Sequence, residues 1–211
     1  MTPRPVLVAV LVAVLAIFAA ACGKSTPQKA AAEGDLALMQ RLDAEGADWV
    51  SLDDKGFAPI HWAALNGRVD AVKFLLDKGV DPDEPTTRQM RPLHYAVFAS
   101  SPELMGLLID KGADIEGKNE VGDTALHIAA DLDYKHGAAL LLDKGAKIEA
   151  RNNEERTPLH KAAKSDAENV VKLLIERGAE VNPRDKYDLT PVRLVENLKT
   201  AHILEQHGAT E

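Results

Sequence analysis

Residues 157–163 read Thr157-Pro158-Leu159-His160-Lys161-Ala162-Ala163, and 33 positions earlier stands Thr124-Ala125-Leu126-His127-Ile128-Ala129-Ala130. Each element has a physical reason. A threonine before a helix accepts a hydrogen bond from a free backbone N–H, and proline at the first helical position sacrifices no helical bond. Paired alanines keep the helix slim enough for a neighbour to approach. The pattern extends in both directions: His61, His94, His127 and His160 lie 33 apart, and Arg193 continues the series. A second register agrees, with Gly46, Gly79, Gly112, Gly145 and Gly178 each 33 apart and Gly208 following 30 later. Those glycines close apolar runs and suit the left-handed cap at a helix C-terminus. Leu75, Leu108, Leu141 and Leu174 form a third column, and Leu76, Ile109, Leu142 and Ile175 the next. Together they give an apolar stripe that one unit buries against its neighbours.

The residues on these columns resemble the ankyrin repeat. Its T-P-L-H signature is complete at Thr157-Pro158-Leu159-His160, with near-matches at Ala58-Pro59-Ile60-His61, Arg91-Pro92-Leu93-His94, Thr124-Ala125-Leu126-His127 and Thr190-Pro191-Val192-Arg193. The closing G-A-D appears at Gly46-Ala47-Asp48 and Gly112-Ala113-Asp114. The resemblance implies an all-α repeat solenoid of helix–turn–helix units joined by β-hairpin loops. The expected organisation is a repeat domain over 30–209: a partial N-terminal unit at 30–51 with a short, degenerate first helix, repeats at about 52–84, 85–117, 118–150 and 151–183, and a C-terminal cap repeat at 184–209. In the last unit Arg193 replaces the histidine, Glu205 replaces the Ile175 column, and three residues are missing, as an exposed terminal face requires.

The first 22 residues are a separate object. Val6 to Ala21 is an unbroken apolar run after Arg4, too short for a membrane span and suited to a signal-peptide core. The chain's one cysteine, Cys22, follows Ala19-Ala20-Ala21 directly. That arrangement resembles the bacterial lipoprotein signal, in which the cysteine is lipidated and becomes the N-terminus, although Ala19 stands where leucine is usual. Gly23, rather than aspartate, implies the outer membrane by the sorting rule of such proteins. The same alanines satisfy an ordinary cleavage site, which leaves a soluble periplasmic protein with a free thiol; an uncleaved anchor is a third reading. Residues 23–29 form a short tether, at most about 25 Å when extended.

Composition narrows function by exclusion. With 25 Lys+Arg against 33 Asp+Glu, the net charge is −8. Removing residues 1–22 takes away Arg4 and no acid, which leaves −9. Phosphate binding needs clustered basic residues, so nucleic acid is not an expected partner. One cysteine excludes an internal disulfide framework and a multi-thiolate metal site. Histidines on successive packed helices, about 8–10 Å apart, cannot share one ion. In the ankyrin family this histidine bonds the turns of its own and the neighbouring repeat. His136 with Asp131 and Asp133, and His202 with His207, read as surface residues. No catalytic motif occurs, paired acids such as Asp53-Asp54 read as solvated charge at hairpin tips, and neither enzyme activity nor a cofactor is expected.

The resemblance places partner binding on the hairpin tips and the exposed side of the first helices, which line a concave groove. In register these positions are Asp54, Lys55, Phe57, Trp62 and Leu65; Arg88, Met90, Tyr95 and Phe98; Val121, Asp123 and Leu132; Arg156 and Lys161; and Tyr187. Large apolar residues gather in the N-terminal half, and hot spots favour such residues. An exposed aromatic patch there marks a docking surface; the alternative is that Trp62, Tyr95 and Phe98 pack between repeats, with Phe57 and Met90 deciding. The expected protein is a monomeric binder of another protein, touching the membrane only through its lipid. The acidic balance, the groove and the tether point to regulation of an envelope enzyme, by inhibition or protection, with an adaptor in an envelope complex as the alternative.

Overall fold

The computed structural model describes residues 26–210. Cys22, the expected signal peptide and its cleavage lie outside the described residues. Eleven α-helices and one 3-10 helix follow one another in pairs, with no strand among the described residues. The inner helices are α1 (Pro27–Glu33), α3 (Pro59–Leu65), α5 (Pro92–Phe98), α7 (Ala125–Asp131) and α9 (Pro158–Lys164). The outer helices are α2 (Leu36–Ala44), α4 (Val69–Asp77), α6 (Pro102–Asp110), α8 (Lys135–Asp143), α10 (Glu168–Glu176) and α11 (Leu198–Gln206). Every inner α-helix has seven residues and every outer one nine, as a fixed period demands. Helices contact their own partner and the equivalents in the next unit, which is a linear stack.

Packing follows the sequence columns. Leu75, Leu108, Leu141, Leu174 and Leu204 are fully buried, and Leu42, in the first of the described units, is half-buried. Full burial of a leucine contributes roughly 1.5–3 kcal/mol. The adjoining column of Leu76, Ile109, Leu142 and Ile175 is only half-buried. Paired alanines of the inner helices, such as Ala63-Ala64, Ala129-Ala130 and Ala162-Ala163, have no exposed surface.

The two ends differ from expectation. The first inner helix is neither short nor degenerate: α1 starts at Pro27, capped by the Thr26 hydroxyl, which accepts from the Lys29 N–H at 3.2 Å, and buries Ala30, Ala31 and Ala32. Residues 27–29, expected to belong to the tether, are therefore helical. At the other end the three missing residues shrink the inner helix to a single 3-10 turn, Pro191–Leu194, before the chain extends at Val195. Arg193 and Glu205 are exposed there.

Candidate partner-binding surface

Between one outer helix and the next inner helix the chain makes a five-residue turn, and one column of side chains shapes it. Asp53, Thr86, Asn119, Asn152 and Asp185 lie 33 apart. The Asn119 Oδ1 accepts from the N–H groups of Val121 and Asp123, both at 3.0 Å. Asn152 repeats this for Glu154 and Arg156, and Asp185 for Tyr187 and Leu189. Asp53 accepts from Lys55 and Phe57 through Oδ1 and from the Trp62 indole through Oδ2 at 2.7 Å. Asp53 is thus a turn-builder, not the solvated charge its neighbour Asp54 is. The column was visible in the sequence as polar residues three positions before Gly56 and Gly122, and was missed. Hydrogen bonds from Leu189, Tyr187 and Arg156 hold the Asp185 carboxyl below the usual range against the opposing effect of burial.

Neighbouring turns are also joined through the backbone. The Glu120 N–H donates to the Arg88 carbonyl at 3.1 Å, Asn153 to Val121 at 3.1 Å, and Lys186 to Glu154 at 3.0 Å. At Gly122 (φ +80°) a Cβ would lie 2.6 Å from the Asn153 nitrogen, so this joint admits only glycine.

Each buried histidine fastens a turn. The Nδ1 of His61 accepts from the Ala58 N–H at 2.9 Å, while its Nε2–H donates to the Glu84 carbonyl, 23 positions on, at 2.6 Å. His94 links Arg91 to Gly117 at the same spacing, whereas His127 links Thr124 to Arg156 and His160 links Thr157 to Leu189, each 29 positions on at the end of the next turn. Accepting at Nδ1 requires the neutral ring with its proton on Nε2. Burial pushes His61 and His94 down to about 4, and lowers His127 and His160 too.

The expected aromatic patch turns out to be internal. Trp62 is 2% exposed and Tyr95 7%. Phe57 reaches over from its turn to lie 4.9 Å from Trp62, 5.2 Å from Tyr95 and 6.0 Å from His61 between ring centres. Phe98 extends the ladder at 6.5 Å from Tyr95. Phe57, Met90, Leu65, Phe98 and Leu132 are half-buried and packed on the core. The aromatic ladder is therefore mainly a packing element, and Phe57 and Met90 do not stand out as free anchors. Burial raises the Tyr95 hydroxyl to about 12.

Two charged candidates are internal for a different reason. Asp123 and Arg156 are buried because each bridges units. Asp123 takes Asn152 Nδ2 at 2.6 Å and the Lys161 ammonium at 3.1 Å, and Lys161 is mostly covered. Arg156 Nε meets Asp185 at 3.0 Å and its NH1 pairs with Glu154. What remains outward is a ridge of turn residues: Asp54, Lys55, Arg88, Val121 at 50% exposure and Tyr187 at 55%. Lys55 lies 5.3 Å from the Trp62 ring centre, and Tyr187 is flanked by Lys186 at 5.0 Å and Arg156 at 6.0 Å. No group of three or more potential metal ligands exists among the described residues.

Seven-residue and nine-residue helices in pairs, a histidine linking successive turns and a glycine closing each pair define one architecture. The family description for ankyrin repeats, in three-copy form, matches residues 28–119 and 114–185. This chain belongs to the ankyrin-repeat family. Among solved structures it is similar to the ankyrin-repeat domain of human ASB11, with a TM-score of 0.79 and 27% identity over 89% of this chain and 85% of that one. Curated relatives match over single stretches. A palmitoyltransferase akr1 of Neurospora crassa is 45% identical over 49 residues, 23% of this chain and 7% of that protein. The 2-5A-dependent ribonuclease of Mus musculus is 44% identical over 55 residues, 26% and 8% respectively. The matched stretches thus span less than a tenth of these relatives, and their likeness is that of the repeat. Ankyrin-repeat domains generally bind protein partners and typically work as non-enzymatic scaffolds, which is the level of function the family membership carries.

Proposed function

We propose that this chain is a lipid-anchored ankyrin module of a bacterial envelope that binds an envelope enzyme and regulates it, by inhibition or by protection against it. The observation that carries the binding half is the ridge of turns. Asp54, Lys55, Arg88, Val121 and Tyr187 are outward on a backbone fixed by the side-chain column beneath them and by turn-to-turn hydrogen bonds. Such preorganisation lowers the entropic cost of association, and a tyrosine flanked by cations beside arginine is the composition of an interface centre. Cys22 after the apolar run supports the anchored half.

Affinity capture from detergent-solubilised envelopes tests this, with wild type compared to Lys55→Glu/Arg88→Glu/Tyr187→Ala. The main partner should be lost from the triple variant, and unchanged capture refutes the ridge as the binding surface. Recovery of a multi-component assembly in place of a single enzyme overturns regulation in favour of an adaptor. Cys22→Ser should release the protein from membranes; retention sinks the anchor.

A further inference from the structure

Two columns that are polar, charged or proline at every later position are aliphatic at their first. Four positions after the closing glycine the later units carry Asp83, Glu116, Glu149 and Asn182. Each accepts a backbone N–H one unit on: Asp83 from Asp114, Glu116 from Lys147, Glu149 from Glu180, and Asn182 from Thr210, at 2.8–3.0 Å. The first unit has Val50 there. Two positions further, Lys118 and Arg151 donate to the carbonyls of Arg151 and Arg184, both at 2.8 Å, with Pro85 and Arg184 completing the column. The first member of this column is Leu52, which directly follows the first unit. Val50 is 51% exposed and Leu52 44%, so the aliphatic groups gain no compensating burial in the fold.

Their place on the molecule indicates what covers them. The Gln28 side chain donates to the Ser51 carbonyl at 3.2 Å, which sets both residues beside the first turn of α1. Cys22 is four residues before Thr26, a reach of at most about 14 Å. Asp48, two residues before Val50, is tied back onto its own turn by the N–H groups of Val50 and Ser51 and by the Ser51 hydroxyl. We infer that Val50 and Leu52 form a membrane-contact patch that seats the first ankyrin unit on a phospholipid bilayer and holds the solenoid with its later units pointing away. This rests on the lipid-anchored reading above and deepens it. The acidic chain selects a zwitterionic rather than an anionic surface.

The test uses the full processed protein, purified in detergent and reconstituted into phosphatidylcholine–phosphatidylethanolamine vesicles with plain or brominated acyl chains. Trp49, beside Val50, is one of two tryptophans in the chain. Brominated lipid should quench wild-type tryptophan emission. Quenching should be lost in Val50→Asp/Leu52→Lys, which carries the residues found at Asp83 and Lys118 and remains vesicle-bound through its lipid. Equal quenching in both proteins, or none in either while both are bound, overturns the patch. A photo-crosslinker at position 52 that captures a protein instead of lipid overturns it as well. The mass of the purified chain decides the anchor separately. If Cys22 carries no acyl group, the anchored reading fails, and the patch then stands only if wild type floats with vesicles about tenfold better than the double variant.

Discussion

Acidification from pH 7 to pH 5 should weaken this fold through its buried histidines, and the size follows from their environment. His61 and His94 are neutral acceptors in the native state and titrate at about 4, against 6.5 for an unfolded chain. Between those values the unfolded chain binds protons that the native one does not, so stability is complete above about 6.5 and falls as pH drops. Integrated from pH 7 to 5, the loss is about 2 kcal/mol per ring and about 4 for the pair. That is a large part of the roughly 5–15 kcal/mol that holds a domain folded. His127 and His160 shift in the same direction and add to it. At these two, the Thr124 and Thr157 hydroxyls lie 2.9 and 3.0 Å from Nδ1 and can accept a hydrogen bond from the protonated ring, whereas Ala58 and Arg91 provide no hydroxyl. The N-terminal half should therefore be the more acid-sensitive. Asp43, Asp48 and Asp185 are held below the usual carboxylate range, so their contribution fades only in stronger acid. Glu84, raised by burial, works weakly in the opposite sense. Urea unfolding followed by far-UV circular dichroism at pH 7, 6 and 5 measures the loss. Coincident midpoints at pH 7 and 5, or a His61 ring that titrates above pH 6 in the folded protein, would refute the reasoning.

Other perturbations have equally defined outcomes. Leu108→Ala should cost about 2–5 kcal/mol in urea unfolding, because the side chain is fully buried between units. Gly122→Ala should cost about 1–3 kcal/mol from its positive φ alone, with more from the contact to Asn153, read as a lowered thermal midpoint. Asp53→Ala removes the acceptor for two turn N–H groups and the Trp62 indole; a loss of about 1–3 kcal/mol and a shifted tryptophan emission are expected. Lys55→Glu/Arg88→Glu should abolish partner capture while moving the unfolding midpoint by about 0.5 kcal/mol or less, since both are exposed.

The fold was legible because a period of 33 prints each structural requirement at least four times, so His61, Leu75 and Gly79 can be checked against their repeats. The first inner helix escaped because Thr26-Pro27 stands 32, not 33, positions before Ala58-Pro59, while Gly34 and Gly67 keep the full period. A slip of one residue at the helix start hid its cap. The candidate surface was less legible for a tertiary reason. Whether Trp62 or Tyr95 faces solvent depends on Phe57, a residue of the preceding turn that folds over both. Helical periodicity assigns a side chain to a face, but here the face is roofed by another segment. Arg156 and Asp123 were misplaced likewise, because their partners Asp185 and Lys161 come from the adjoining unit.

The histidine links have a consequence for how this surface can be divided. His160 belongs to α9, yet it holds the Leu189 carbonyl, and Arg156 holds Asp185, so the turn bearing Tyr187 is anchored by the unit before it. His127 shows the same offset of 29 positions with Arg156, whereas His61 and His94 reach carbonyls 23 positions on, at Glu84 and Gly117, just ahead of the next turns. The recognition ridge is thus out of phase with the helix pairs, and a module transplanted with its specificity intact must be excised after a turn rather than before it. A cut at the helix-pair boundary would part each contact residue from the scaffold that aims it.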